Sequence, residues 1–150
     1  MSSKGLLPFE DTLQTSNIWL RDLMKEMGWE DRYRAYHALR AVLHALRDRL
    51  TVGEAADLGA QLPMLVRGFY YEGWHPAGKP LKERTKEQFL AHIAKEFRGD
   101  PPADLEAIVK AVFWVVGKHV TAGEIEDVKH LLPPEIRSLW PTEGEATSCV

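Results

Sequence analysis

A single cysteine, Cys149, stands in the whole chain, so no internal disulfide can staple it and no cysteine-rich metal knuckle can form. The thiol sits next to the last residue and is read as having no role. Long apolar runs are missing too. The longest, Ala111 to Val116, spans six residues between Lys110 and Gly117, against roughly 20 for a membrane-spanning helix. No charged-then-apolar signal segment opens the chain, and Ser2 stands where myristoylation needs glycine. Charge of one sign is also lacking: the formal net charge is −3, which gives no global attraction to phosphate backbones or anionic lipid. Together these absences point to a cytoplasmic protein without a membrane role, and they disfavour nucleic acid.

Catalytic strings are equally scarce. There is no Gly-x-Ser-x-Gly, P-loop or Gly-x-Gly-x-x-Gly sequence, no His-Glu-x-x-His and no pair of cysteines. The expectation is a non-enzymatic protein with no catalytic residues, cofactor or metal.

What the chain does contain is an internal duplication. Residues 12–70 fall onto 82–140 at an offset of 70 without a gap, with 13 identities in 59 positions, where composition alone gives roughly four. Thr51, Gly53, Glu54 and Asp57 match Thr121, Gly123, Glu124 and Asp127; Leu62-Pro63 and Arg67 match Leu132-Pro133 and Arg137. Each threonine stands three residues before a glutamate, the spacing of a capping box, in which hydroxyl and carboxylate reciprocally satisfy two free helix N–H groups. Pro63 and Pro133 suit the opening turn of the next helix. Asp57 and Asp127 read as exposed helix positions facing an arginine such as Arg67 or Arg137.

Between the repeats, Glu72-Gly73-Trp74-His75-Pro76-Ala77-Gly78-Lys79-Pro80 is too rich in glycine and proline to continue a helix. Elsewhere apolar residues recur at helical spacing, and no stretch alternates as a strand would. The spacing predicts helices at about 11–27, 31–50, 52–61 and 63–70, then about 82–98, 103–120, 122–131 and 133–139. Leu13, Leu20, Leu23, Met24 and Met27 are expected inward on the first; Ala35, Leu39, Val42, Leu46 and Leu50 form the inward stripe of the second. The fold class is therefore all-α, two tandem four-helix units packed as one pseudo-two-fold bundle. A single domain is expected over 1–141, with repeats 12–71 and 82–140, linker 72–81, a mobile lead over 1–8 and a flexible tail over 142–150.

The stretches Ala38-Leu39-Arg40-Ala41-Val42-Leu43-His44-Ala45-Leu46-Arg47-Asp48-Arg49-Leu50 and Gly59-Ala60-Gln61-Leu62-Pro63-Met64-Leu65-Val66-Arg67-Gly68-Phe69-Tyr70-Tyr71-Glu72-Gly73-Trp74 resemble the bacterial family called domain of unknown function 2267. The likeness runs from Phe9 to Pro141. It implies an all-helical protein and carries no activity, substrate or catalytic residue.

Three groups of residues invite a functional reading. His37, Arg40, His44 and Arg47 recur at three- and four-residue spacing, a stripe able to meet an anion or an acidic partner, or simply a solvated helix face. Their counterparts at the offset of 70, Ala107, Lys110, Trp114 and Gly117, largely lack the charge, and Trp114 beside a glycine suggests that something packs there, the first copy, a second subunit or a ligand. Tyr71, Trp74 and His75, with Phe69 and Tyr70, gather at the inter-repeat junction and could line a ligand pocket or plug the core. Asp127-x-x-His130 has the spacing of carboxylate-bridged metal bundles, but its counterpart is Asp57 with Ala60, so the required pair is broken. The function expected is a protein–protein interaction or self-associating module. The alternative is a small-molecule-binding or enzymatic bundle built on the aromatic junction.

Overall fold

The structure, a computed structural model, describes residues 5–97 and 104–142. Among them eight helices follow one another without a strand: α1 (Leu7–Met27), α2 (Arg32–Arg47), α3 (Val52–Ala60), α4 (Met64–Tyr71), α5 (Lys86–Glu96), α6 (Leu105–His119), α7 (Ala122–Leu131) and α8 (Pro134–Arg137).

Local chemistry sets these limits. Pro8 lies in the first turn of α1, where a missing N–H costs nothing, so the helix begins at Leu7 instead of near Asp11 and takes in part of the expected lead. Gly28, at φ 70°, ends it in the left-handed conformation that glycine adopts without penalty. The linker runs on to Thr85 and not only to Leu81, because Thr85 and Gln88 form the chain's reciprocal capping box and start α5 at Lys86. The expected helix ends at Arg98 and Ala103, the first four residues, Cys149 and the rest of the tail from Glu143 onward lie outside the described residues.

A helix apolar on one stripe sits at a surface, whereas one apolar all round must be enclosed. α2 from Ala38 to Arg47 and the middle of α6 are enclosed on nearly every side, although both helices also carry charged residues. Ala35, Ala38, Leu39, Ala41, Val42, Leu43, Ala45 and Leu46 are all buried on α2, as are Ile108, Val109, Ala111, Val112, Phe113, Val115 and Val116 on α6. The two helices touch, α1 and α5 each pack against both, α4 lies on α1 and α2, and α3 meets α4 and α7. One apolar cluster runs through all of them, and each fully enclosed Leu or Phe contributes about 1.5–3 kcal/mol of transfer free energy.

The inward stripe expected on α2 is fully buried, Leu50 included. On α1 one position differs. Leu13 is 54% exposed, because the inward stripe runs through Thr12, Ser16, Trp19 and Leu23, where the Thr12 hydroxyl bonds Ser16 and accepts from the Leu65 N–H.

Candidate functional site

The basic stripe on α2 is not a solvated face. His44 and Arg47 are 6% and 3% exposed, since α4 and α5 pack over the side of α2 that carries them. Arg47 donates from Nη1 to the carbonyls of Tyr70 (2.7 Å) and Glu72 (2.9 Å) and from Nε to Asp48 (2.9 Å). It thereby satisfies acceptors that the end of α4 leaves without a helical partner. His44 places Nδ1 2.7 Å from Glu96 and Nε2 2.6 Å from the Phe69 carbonyl. Arg40 bridges Glu96 (2.8 Å) and Glu72 (3.1 Å). Burial works against ionisation of Glu96, yet the His44 hydrogen bond and the charges of His44, Arg40 and Arg47 outweigh it and hold its carboxyl below the ordinary value. His37 stands apart, stacking edge-on against Tyr33 at the exposed start of α2. Three of the four residues therefore form an internal seam that fastens α2 to α4 and α5.

The junction aromatics pack mainly on one another. Tyr70 is fully buried and donates to the Ala55 carbonyl at 2.7 Å. Tyr71, half-buried, lies between the rings of Tyr70 and Trp74 at 4.9 and 5.4 Å, and its hydroxyl occupies the place a side chain on Gly59 would need. Trp74 is half-buried, its indole Nε1 enclosed without a hydrogen-bond partner, and His75 is exposed. The linker beyond is pinned by the Leu81 N–H to the Asp48 carbonyl (2.8 Å). A cleft of about 330 Å³ lies elsewhere, lined by Gln14, Asn17, Ile18, Arg21, Met24 and Arg32, with none of these aromatics. Trp114 is half-buried under the Lys118 ammonium at 5.3 Å, while Gly117 lies against Trp140, which stacks on Phe113 at 4.2 Å.

The third place was not read from the sequence as a site. Thr51 and Thr121 cap α3 and α7 as expected, each hydroxyl accepting from the N–H of its glutamate. The reciprocal half does not form: Gln61 takes the Thr121 N–H (2.9 Å) and donates to its hydroxyl (3.1 Å). The two glutamates converge where α3 meets α7. Ligand oxygens of Glu54, Asp57 and Glu124 lie within 4.8 Å of one another, and the Oε2 atoms of Glu54 and Glu124 are buried with no hydrogen-bond donor. Arg67 and Arg137 do not face the aspartates. Each guanidinium turns to main-chain carbonyls, Gly59 and Leu62 for one, Lys129 and Leu132 for the other, at 2.8–3.0 Å. Two helix N-termini lend some positive charge. Burial, then the Glu54 carboxyl and the charges of Asp57 and Asp127, still push the Glu124 carboxyl up to about 8.

The described residues make an all-helical protein in which no helix is long and apolar enough to cross a membrane. Residues 16–139 match the family described as Uncharacterized conserved protein (DUF2267), and the chain belongs to that family. No curated protein matches it.

Proposed function

We propose that this is a non-enzymatic cytoplasmic protein that associates with a second copy of itself, folding as one domain over residues 1–141 from two copies of a four-helix unit. Support for the duplication comes from contacts that exchange under the offset of 70. α1 lies on α6 as α5 lies on α2; Arg67 and Arg137 close equivalent carbonyls; Arg49 lies over Phe89 as His119 stacks on Trp19, both at 5.0 Å. Support for a non-catalytic role is that His44, Arg47 and Glu96 use their bonding capacity on one another and on main-chain carbonyls, which makes them a fastening.

The observation that carries self-association is an apolar patch. Leu6, Leu7, Phe9 and Leu13 at the start of α1 and Met64 and Leu65 at the start of α4 are 48–70% exposed. The Leu65 N–H on Thr12 holds the two helix starts together. Large apolar side chains left exposed in one region mark interaction surfaces, and such a surface can meet its own copy across a two-fold axis. Trp74 and Trp114, half-buried against their own chain, are weaker supports for recognition. Sedimentation velocity tests this: the full chain should sediment as a dimer at tens of micromolar, and Phe9→Asp with Leu65→Asp should sediment as a folded monomer. A wild-type monomer under those conditions overturns the reading.

A further inference from the structure

We propose that Glu54, Asp57 and Glu124 bind a hard divalent cation where α3 meets α7. The first ground is geometric. Three carboxylates from two helices bring oxygens within 4.8 Å of one another. Oxygens that close to one another can share a single hard divalent cation, whose oxygen ligands lie at about 2.4 Å for Ca²⁺ or about 2.1 Å for Mg²⁺. The donors are all carboxylate oxygens, which select hard cations over zinc or copper.

The second ground is independent of the acidic cluster as such. Glu124 is nine-tenths buried, and its Oε2, like that of Glu54, receives no hydrogen bond. A buried carboxylate oxygen with no donor is costly unless positive charge reaches it. The neighbouring side chains do not provide that charge. Arg67 and Arg137 close helix ends, and Lys129, the cation on α7 nearest in sequence, pairs with Glu126. Local capping does not explain the arrangement either, because neither glutamate returns to its threonine N–H. Asp57, exposed beside them, adds a third ligand open to solvent, so water completes the coordination shell.

Calorimetric titration of the metal-free full chain with CaCl2 at neutral pH, at constant ionic strength, tests the proposal. One saturable site is expected. Glu54→Gln and Glu124→Gln should each weaken binding about tenfold or more, and Glu126→Gln, on the exposed side of α7, should leave it unchanged. No saturable heat with Ca²⁺, Mg²⁺ or Mn²⁺ in the wild type overturns the proposal and leaves a shared proton as the occupant. Binding undiminished in both glutamine variants also overturns it. Circular dichroism confirms that each variant is folded, and the wild-type titration stands without them.

Discussion

Replacing Arg47 by glutamine should be among the most damaging single changes on α2. The guanidinium is 3% exposed and supplies donors at 2.7 and 2.9 Å to the Tyr70 and Glu72 carbonyls, with a third bond to Asp48. Glutamine is too short to reach both carbonyls. Hydrogen bonds to a charged donor contribute about 1.5–3 kcal/mol each, and a buried acceptor left unpaired costs about 1–3 kcal/mol. Part of this is returned because the variant no longer buries a charge, so a net loss of about 3 kcal/mol is expected. With a urea m-value of about 2 kcal/mol/M for a chain of this size, the midpoint should fall by about 1.5 M. Arg47→Met, which keeps the aliphatic stem, should lose nearly as much, because the carbonyls and not the packing are at stake. Arg40→Gln, whose partners are partly in water, should lose about 1 kcal/mol. An Arg47→Gln midpoint within about 0.25 M of wild type would refute the reasoning, since a removable guanidinium must already have been solvated.

Two further outcomes follow from the same geometry. Thr51→Ala and Thr121→Ala should each lose about 1 kcal/mol of unfolding free energy through their caps. Thr121→Ala should lose the more, because its hydroxyl also accepts from Gln61; equal urea midpoints would show that the Gln61 bond contributes nothing. The pH profile should bend at both ends. Glu96, held below 4.5 in the fold, supplies stability that is present above 4.5 and lost as pH falls through its lowered value. Glu124, raised to about 8, supplies stability present below 4.5 and lost as pH rises toward 8 in metal-free buffer. Urea midpoints across pH should therefore flatten on the acid side in Glu96→Gln and on the alkaline side in Glu124→Gln, and unchanged slopes in both would refute these assignments.

The helix order and the buried stripe of α2 were legible because period and caps are local properties. The Thr51 and Thr121 hydroxyls sit where a three-residue spacing puts them. Their glutamates, expected to close the capping boxes, turn elsewhere, because Glu54 and Glu124 meet through the contact of α3 with α7, a relation between distant positions that no window of sequence contains. Leu13 was misplaced by one position for a smaller reason: Thr12, polar but bonded to Ser16 and Leu65, takes the inward place. The seam on α2 did leave a signal. Ala38, Leu39, Ala41, Val42, Leu43, Ala45 and Leu46 cover nearly every side of that helix, which leaves little solvent face for His44 and Arg47 and only part of one for Arg40. A polar residue on a helix that is otherwise apolar all round has to be buried with partners. What the sequence could not supply was the partner, Glu96, 52 residues from His44.

The residues shared at the offset of 70 divide by what they do. Thr51 and Thr121 cap helices, and Arg67 and Arg137 close the preceding helix ends, so each pair stabilises its own half and folding alone accounts for it. Glu54 with Glu124 and Asp57 with Asp127 are different. Burial, then Glu54, Asp57 and Asp127, all act on Glu124 and push that carboxyl up to about 8. Like charges in a partly buried setting cost stability. Glutamine at either glutamate position would fill the same space, could donate to its neighbour and would remove the repulsion. Sharing a proton relieves the pair without giving any reason to keep both carboxylates. A divalent cation does give one, because its affinity depends on the number of ionised ligands. For the proposed site that reason covers Glu54, Asp57 and Glu124, whose oxygens lie within 4.8 Å of one another, and not Asp127, whose charge only adds to the repulsion on Glu124.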